Sequence, residues 1–270
     1  MMEADNFILQ NYKDQQKIFD VNLNIIRKRP TKKTVHDLRV SVKKIRSYLR
    51  LQQKLTGEDW KQSFANIFLI FKSLGKLRDF DMSMSLLLKY QRSEKIQFPS
   101  LKKYFSVNRT LTRRWAKDAA IKFNEQELIF SLQQISTSLA AISNYELCDM
   151  IIESAGKNMK KVNQLTKHFQ KNAHSIRMLL KDVYYWLKIC PQDKVESFIN
   201  LKSLDRVLNN LGRWQDHFIF RKKLKHFRKE YLLKGGEEVE LVKIFEAKIS
   251  TTQEELLDKA RTYFKDVSAK

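Results

Sequence analysis

Apolar residues recur at three- and four-residue steps along almost the whole chain, the period of an amphipathic α-helix. The pattern predicts helices over 4–28, 33–55, 59–74, 79–93, 100–118, 125–143, 147–169, 173–189, 194–211, 216–233 and 237–266. The intervals carry helix-stopping chemistry. Pro30-Thr31 ends the first helix, and Gly57-Glu58-Asp59 separates the second from the third. Pro99-Ser100 opens another, with Ser100 as its cap. Pro191-Gln192-Asp193 follows the helix ending near Cys190, and Gly235-Gly236 precedes the last. No alternating strand pattern is found, so the expected fold class is all-α.

Composition narrows this further. The 270 residues include 6 Gly and 3 Pro, too few turn formers for a hairpin-rich β fold. Gly-dependent nucleotide folds are disfavoured for the same reason. A hydrophobic fraction of 43% suffices for a core and argues against wholesale disorder. The length suits one large domain or two ordinary ones. Mean hydropathy is −0.49. The longest uncharged stretch, Leu128 to Tyr145, is interrupted by Ser, Gln, Thr and Asn, so no membrane span is expected. The N-terminal residues lack a basic segment followed by an apolar run, so no signal peptide is read there. Cys148 and Cys190 form no CxxC and are too few for a cysteine-based zinc site; they are expected to be buried, reduced thiols. The expected location is cytoplasmic.

Charge changes the picture most. Lys and Arg number 52 against 30 Asp and Glu, a net charge of +22. Such a field implies a polyanionic partner. Nucleic acid, anionic lipid and inorganic polyphosphate all satisfy it.

Self-comparison reveals an internal repeat. His36-Asp-Leu-Arg39-Val-Ser-Val-Lys43 recurs as His174-Ser-Ile-Arg177-Met-Leu-Leu-Lys181. Leu74-Gly75-Lys-Leu-Arg78-Asp79 recurs as Leu211-Gly212-Arg-Trp-Gln215-Asp216. The two offsets, 138 and 137, are nearly equal and the order is the same. The chain therefore reads as a single domain over 1–270, built of one unit near 1–145 and a second near 146–270.

The H-x-x-R-x-x-x-K spacing has a geometric meaning. At about 100° per residue, Arg39, Lys43, Arg46 and Arg50 fall within about 80° of His36, while Leu38, Val42, Ile45 and Leu49 lie opposite. In the second copy Arg177, Lys181 and Lys188 share the arc of His174, with Tyr184 and Tyr185 beside them. A solvated helix face normally mixes signs. This one keeps like charges together twice, which points to an anionic ligand. Two further stripes run parallel: Lys157, Lys160, Lys161, Lys167, His168 and Lys171, and Lys102, Arg109, Arg113 and Lys117. Arg offers phosphate a planar fork and Lys a mobile point charge. Each His should be neutral beside so many cations, and a bound polyanion should favour its protonation. The candidate ligand set is His36, Arg39, Lys43, Arg46, Arg50, Arg109, Arg113, Lys160, Lys161, Lys167, His174, Arg177, Lys181 and Lys188. Gly75 and Gly212 are expected to allow a close helix approach or a left-handed turn, with Asp79 and Asp216 capping the next helix.

These residues resemble the CHAD family, the conserved histidine α-helical domain. Its signature is a His-led helix with Arg and Lys at three- and four-residue steps, then an LG-x-x-(R/N)-D segment, the unit occurring twice. His36 through Arg46 and Leu74 through Asp81 fit closely, and the second copy fits at His174, Arg177, Lys181, Leu211, Gly212 and Asp216. It departs where Asp182 stands opposite Lys44 and Tyr184 opposite Arg46. The resemblance implies a bundle of two pseudo-symmetric four-helix halves, a basic pore between them, and binding of inorganic polyphosphate. The E-x-E-x-K signature of the triphosphate-tunnel enzymes fused to some members is absent, since Glu238-Val-Glu240-Leu-Val-Lys243 has another spacing. A stand-alone member is therefore expected.

The expected function is non-catalytic binding of polyphosphate, with no cofactor or metal, no membrane partner, and polyphosphate granules as an open extension. Two alternatives remain. A metal-dependent phosphoanhydride hydrolase would use Asp79, Asp81 or Asp216 on Mg²⁺. A single-stranded nucleic-acid binder would stack bases on Trp115, Trp186 or Trp214, although aromatics at helical spacing more often belong to a core.

Overall fold

A computed structural model describes residues 7–59, 64–126, 142–232 and 237–267, with 128, 129, 132, 133 and 137 between them. Its helices are α1 (Phe7–Lys28), α2 (Lys32–Thr56), α3 (Ala65–Glu94), α4 (Pro99–Ile121), α5 (Asn144–Leu165), α6 (Phe169–Leu187), α7 (Gln192–Glu196), α8 (Leu201–Tyr231) and α9 (Glu237–Phe264). A 3₁₀ turn, Thr166–His168, joins α5 to α6. The fold is all-α, as the periodicity requires. Most of the expected 125–143 helix, and Gly235-Gly236, lie outside the described residues. No helix among those described is long and apolar enough to cross a membrane.

Local chemistry sets the helix ends. Thr31 and Thr34 form a reciprocal cap at α2: the Thr34 N–H donates to Thr31 Oγ1 at 3.1 Å, and the Thr31 N–H to Thr34 Oγ1 at 3.0 Å. Gly57 closes the same helix in the left-handed region, φ 79°, donating its N–H to the Gln53 carbonyl. Ser143 and Glu146 cap α5 in the same reciprocal way, so that helix starts three residues earlier than expected. At α4, Phe98 occupies the cap position and Pro99 the first helical position; Ser100 is inside the helix and does not cap it.

Two expected breaks do not exist. Gly75 lies inside α3 and Gly212 inside α8, both continuous helices, so neither glycine makes a left-handed turn. Asp79 and Asp216 consequently cap nothing. A mid-helix glycine costs about 1 kcal/mol relative to alanine, which burial on both sides outweighs.

That burial comes in two clusters. The larger is built from α1, α2, α5, α6, the starts of α3 and α8, and the ends of α4 and α9. The smaller, rich in aromatics, holds Phe80, Phe98, Phe105, Phe220, Phe227 and Phe245. α3 and α8 pass through both. On α3 the change falls between Leu77 and Phe80; on α8 it falls between Leu211 and Phe220. The repeated LG-x-x-x-D segments thus sit at the seam between two apolar cores. Sequential helices pack pairwise (α1 with α2, α3 with α4, α5 with α6, α8 with α9), and α2, α3, α6 and α8 meet in the centre.

Polar ties fix this assembly. Asp182, buried on α6, accepts from Ser47 Oγ at 2.7 Å and from Arg50 Nε at 2.7 Å, both on α2. The buried Trp186 indole donates to the Ser47 carbonyl at 2.9 Å. Arg27 closes α1 against the end of α4 by donating to the Ala120 and Phe123 carbonyls. The Arg228 guanidinium, bonded to the buried Glu246, joins α8 to α9.

Asp182→Ala strands the Ser47 hydroxyl and the Arg50 guanidinium without their acceptor. It should lower unfolding free energy by about 2–3 kcal/mol, read as a fall in the urea midpoint, with Asp182→Asn losing less.

Candidate functional site

The His-led stripe of α2 and its copy on α6 turn their cations toward α3 and α8. Arg39 donates from Nη1 to the Phe71 carbonyl of α3 at 2.5 Å, and its guanidinium lies 4.0 Å from the Phe71 ring centroid. A Cβ at Gly75 would stand 2.9 Å from Arg39 Nη1. The glycine therefore makes room for the guanidinium on the helix surface, the close approach its position suggests. Gly212 has the same relation to Arg177 more loosely, with a Cβ 3.9 Å from Nη2.

Arg78 of α3 reaches across to α8. Its Nη2 donates to Asp216 Oδ1 of α8 at 2.5 Å and its Nη1 to Asp79 at 3.4 Å. Its charge depresses His36, Arg39, Lys43, Arg177 and Lys181 alike, so all five lie within its field. Arg78 is not in the candidate set read from the sequence. Its counterpart in the second copy, Gln215, accepts or donates at 3.2 Å with His174 Nδ1.

The result is a cluster of like charge held partly out of water. Burial, then Lys181, Arg39, Arg78 and Arg177, push the Lys43 ammonium down to about 6. Burial, with Arg177 and Arg78, pushes Lys181 down to about 8. Burial likewise brings Arg39 to about 10 and lowers Arg177. Burial, and then Lys43, lowers His36. Two carboxylates oppose these charges: Asp79 acts on Arg39, Asp216 on Arg177 and Lys181, and both bond Arg78. The Nε atoms of Arg39 and Arg177 are buried without a hydrogen-bond partner. Two cavities open here. One, about 380 Å³, is lined by Lys32, Lys33, His36 and Arg78 together with Asp37 and Asp81. The other, about 330 Å³, is lined by Arg177, Lys181, Tyr184, Tyr185, Arg213 and Asp216.

Other candidate residues stand elsewhere. Arg50 is held by Asp182, and Arg109 is ion-paired with the buried Asp81. Arg46 borders the cluster: it lies over the Phe68 ring at 4.8 Å, shares the Phe71 ring with Arg39 and lowers that arginine, with Arg50 on its other side. Arg113 is half-buried on α4, its Nε unpartnered, and is not among the groups that depress Lys43 or Lys181. Lys160, Lys161 and Lys167 are exposed on α5 and the turn after it. Lys161 nevertheless acts on Lys54, which continues the α2 stripe past Arg50. Lys188 is exposed, its ammonium 5.6 Å from the Tyr184 ring centroid. Of the tryptophans, Trp186 belongs to the core as expected, whereas Trp115 is 53% exposed beneath Lys76. Both cysteines are free; Cys148 is buried and Cys190 half-buried beside it, its thiol raised by burial. Among the described residues no three His, Cys, Asp or Glu side chains group to hold a metal ion.

A family model described as the CHAD domain matches residues 19–225. The structure is similar to the crystal structure of the CHAD domain from the plant Ricinus communis, with TM-score 0.71 and 16% identity over 99% of this chain and 95% of that one. It is also similar to PptA from Streptomyces chartreusis, with TM-score 0.69 and 13% identity over 96% of each chain. No curated protein matches the chain by sequence.

The lowered lysines make stability depend on pH. Between about pH 6 and the unfolded lysine value near 10.5, the unfolded chain binds more protons at Lys43 and Lys181 than the folded chain does. Stability contributed here should therefore rise with pH across that window. The melting temperature at low salt should increase from pH 6 to pH 9, and Lys43→Met should flatten the rise.

Proposed function

This chain belongs to the CHAD domain family, and from that premise we propose that it binds inorganic polyphosphate without cleaving it. One observation carries the reading: Arg39, Lys43, Arg78, Arg177 and Lys181 share a partly buried site that two aspartates leave electrostatically unbalanced. Assembling it costs desolvation and like-charge repulsion. A chain of phosphoryl groups, each bearing negative charge, offsets both. In this reading the phosphate chain runs between α2 and α6, through a basic passage between the two repeat units. Arg39 and Arg177 present guanidinium charge, and Lys43 and Lys181 add point charges. His36, beside Arg78, and His174, beside Gln215, stand at the two ends of the stripe. No base-reading chemistry is needed, because phosphate contacts position a ligand without reading sequence.

The aspartates support a binding role over hydrolysis. Asp79 and Asp216 are bonded to Arg78, and Asp81 to Arg109. Each carboxylate orients a cation and is already engaged. Incubation of polyphosphate with the chain and Mg²⁺ or Mn²⁺ should release no phosphate; release abolished by Asp79→Ala would overturn the non-catalytic reading. A cytoplasmic setting suits the free Cys148 and Cys190 thiols.

The double change Arg39→Glu with Arg177→Glu should abolish polyphosphate binding in a filter or fluorescence assay and leave the helical circular dichroism intact. Arg50→Ala should weaken binding less than Arg39→Ala, because Arg50 is committed to Asp182. Affinity should fall steeply with salt, and duplex DNA at equal charge concentration should not displace the ligand. Binding at pH 8 should take up protons, chiefly at Lys43, seen as a dependence of calorimetric heat on the buffer's ionisation enthalpy.

A further inference from the structure

On the far side of Asp79 from the cation cluster, a cavity of about 530 Å³ opens between α3, α4 and α8. Polyphosphate binding as proposed above makes no use of it. Its walls combine ring faces with basic groups. Phe80, Tyr104 and Phe218 supply the rings; Lys222, Lys223 and His226 supply the cations. Phe218 is 48% exposed, and its inner flank stacks on Trp214 with centroids 5.8 Å apart and planes at 29°. A phenyl ring left in water at a cavity mouth, and steadied from behind, offers a planar ligand a platform. Lys223 holds its ammonium 3.2 Å from the Phe80 ring centroid, and no carboxylate pairs with Lys222 or Lys223 among the described residues. Burial brings Lys223 down to about 8, opposed by Asp79, so an anion arriving there restores its full charge.

The remaining polar groups narrow the ligand. Asn108 spends its amide nitrogen on the Tyr104 carbonyl at 2.9 Å, which leaves its side-chain oxygen to accept from an amino group. Tyr104, raised by burial and by Tyr231, stays a neutral phenol able to donate. Asp79 closes the wall toward the cation cluster; Arg78 bonds its Oδ1, and Oδ2 is the oxygen that can accept from a hydroxyl while the carboxylate repels phosphate. A ring platform, an amino acceptor, a hydroxyl acceptor and a cationic rim together match a base, a sugar and a phosphate. The volume lies within the roughly 300–1,000 Å³ of small-molecule pockets. We propose that the cavity bounded by Phe80, Tyr104, Asn108, Phe218 and Lys223 binds a nucleoside phosphate, its base against Phe218 and its phosphate toward Lys222 and Lys223.

Calorimetric titration of the intact chain with AMP, ribose 5-phosphate and inorganic phosphate tests this. AMP should bind saturably and at least tenfold more tightly than ribose 5-phosphate, which shares the sugar and phosphate but lacks the base. Phe218→Ala and Lys223→Met should each weaken AMP at least tenfold, with helical circular dichroism unchanged, and Phe218→Tyr should retain binding. Because Phe218 is half in solvent, its truncation leaves the core intact and keeps the test decisive if Lys223→Met fails to fold. Equal affinity for AMP and ribose 5-phosphate, no saturation by AMP, or full binding by Phe218→Ala would overturn the proposal. AMP binding lost in Arg39→Glu but kept in Phe218→Ala would place the nucleotide in the cation cluster and overturn it equally.

Discussion

The Arg78–Asp216 ion pair joins α3 to α8 at the level where neither hydrophobic cluster reaches. Everything else about the site follows from that seam. α3 and α8 are long helices whose apolar faces are buried above and below it, so the backbone is held straight across a stretch that is itself polar. The seam therefore keeps charged groups at fixed positions with limited water. In that setting each added cation is felt by the others, and Arg78 is felt by His36, Arg39, Lys43, Arg177 and Lys181 together. Two aspartates hold the arrangement together without neutralising it.

The two copies of the motif divide the labour unequally. In the first, Arg39 lies against α3 so closely that a side chain at Gly75 would collide with it. In the second, Arg177 has more room over Gly212 and lines a cavity together with Tyr184 and Tyr185. Where the first copy carries Lys44, the second carries Asp182, and the structure shows what that exchange does. Asp182 anchors α6 to α2 through Ser47 and Arg50, close to the indole bond of Trp186. A position that carries a lysine in the first copy instead locks the crossing of α6 on α2. Arg50 is drawn into the same lock and Arg109 into a comparable one with Asp81. Charge on a helix face is thus of two kinds here, structural where a buried carboxylate meets it and available where none does.

The helical fold was legible in the sequence, and so were four of the cations that the tertiary structure groups, Arg39, Lys43, Arg177 and Lys181. Periodicity identified the helices, and the repeat located His36, Arg39, Lys43, His174, Arg177 and Lys181 at matching positions. The breaks at Gly75 and Gly212 were misread because glycine followed by aspartate is a local stop signal, while the burial that overrides it comes from residues far along the chain. The Ser143–Glu146 cap was present as a pattern and went unread, which cost α5 its first turn. Arg78 was quoted within its motif but given no role, since its partner lies 138 residues away.

What the sequence determined by itself was periodic and cumulative: an all-α chain, an excess of positive charge, and two copies of a cationic stripe opposite an apolar one. Which of those cations remain free was decided by the tertiary structure. Pairing depends on distances of a few ångströms between helices, and a carboxylate such as Asp182 reveals which arginine it neutralises only when α6 is laid across α2. The depressed lysines have the same origin, because burial and the approach of like charges from separate helices exist only in the folded chain.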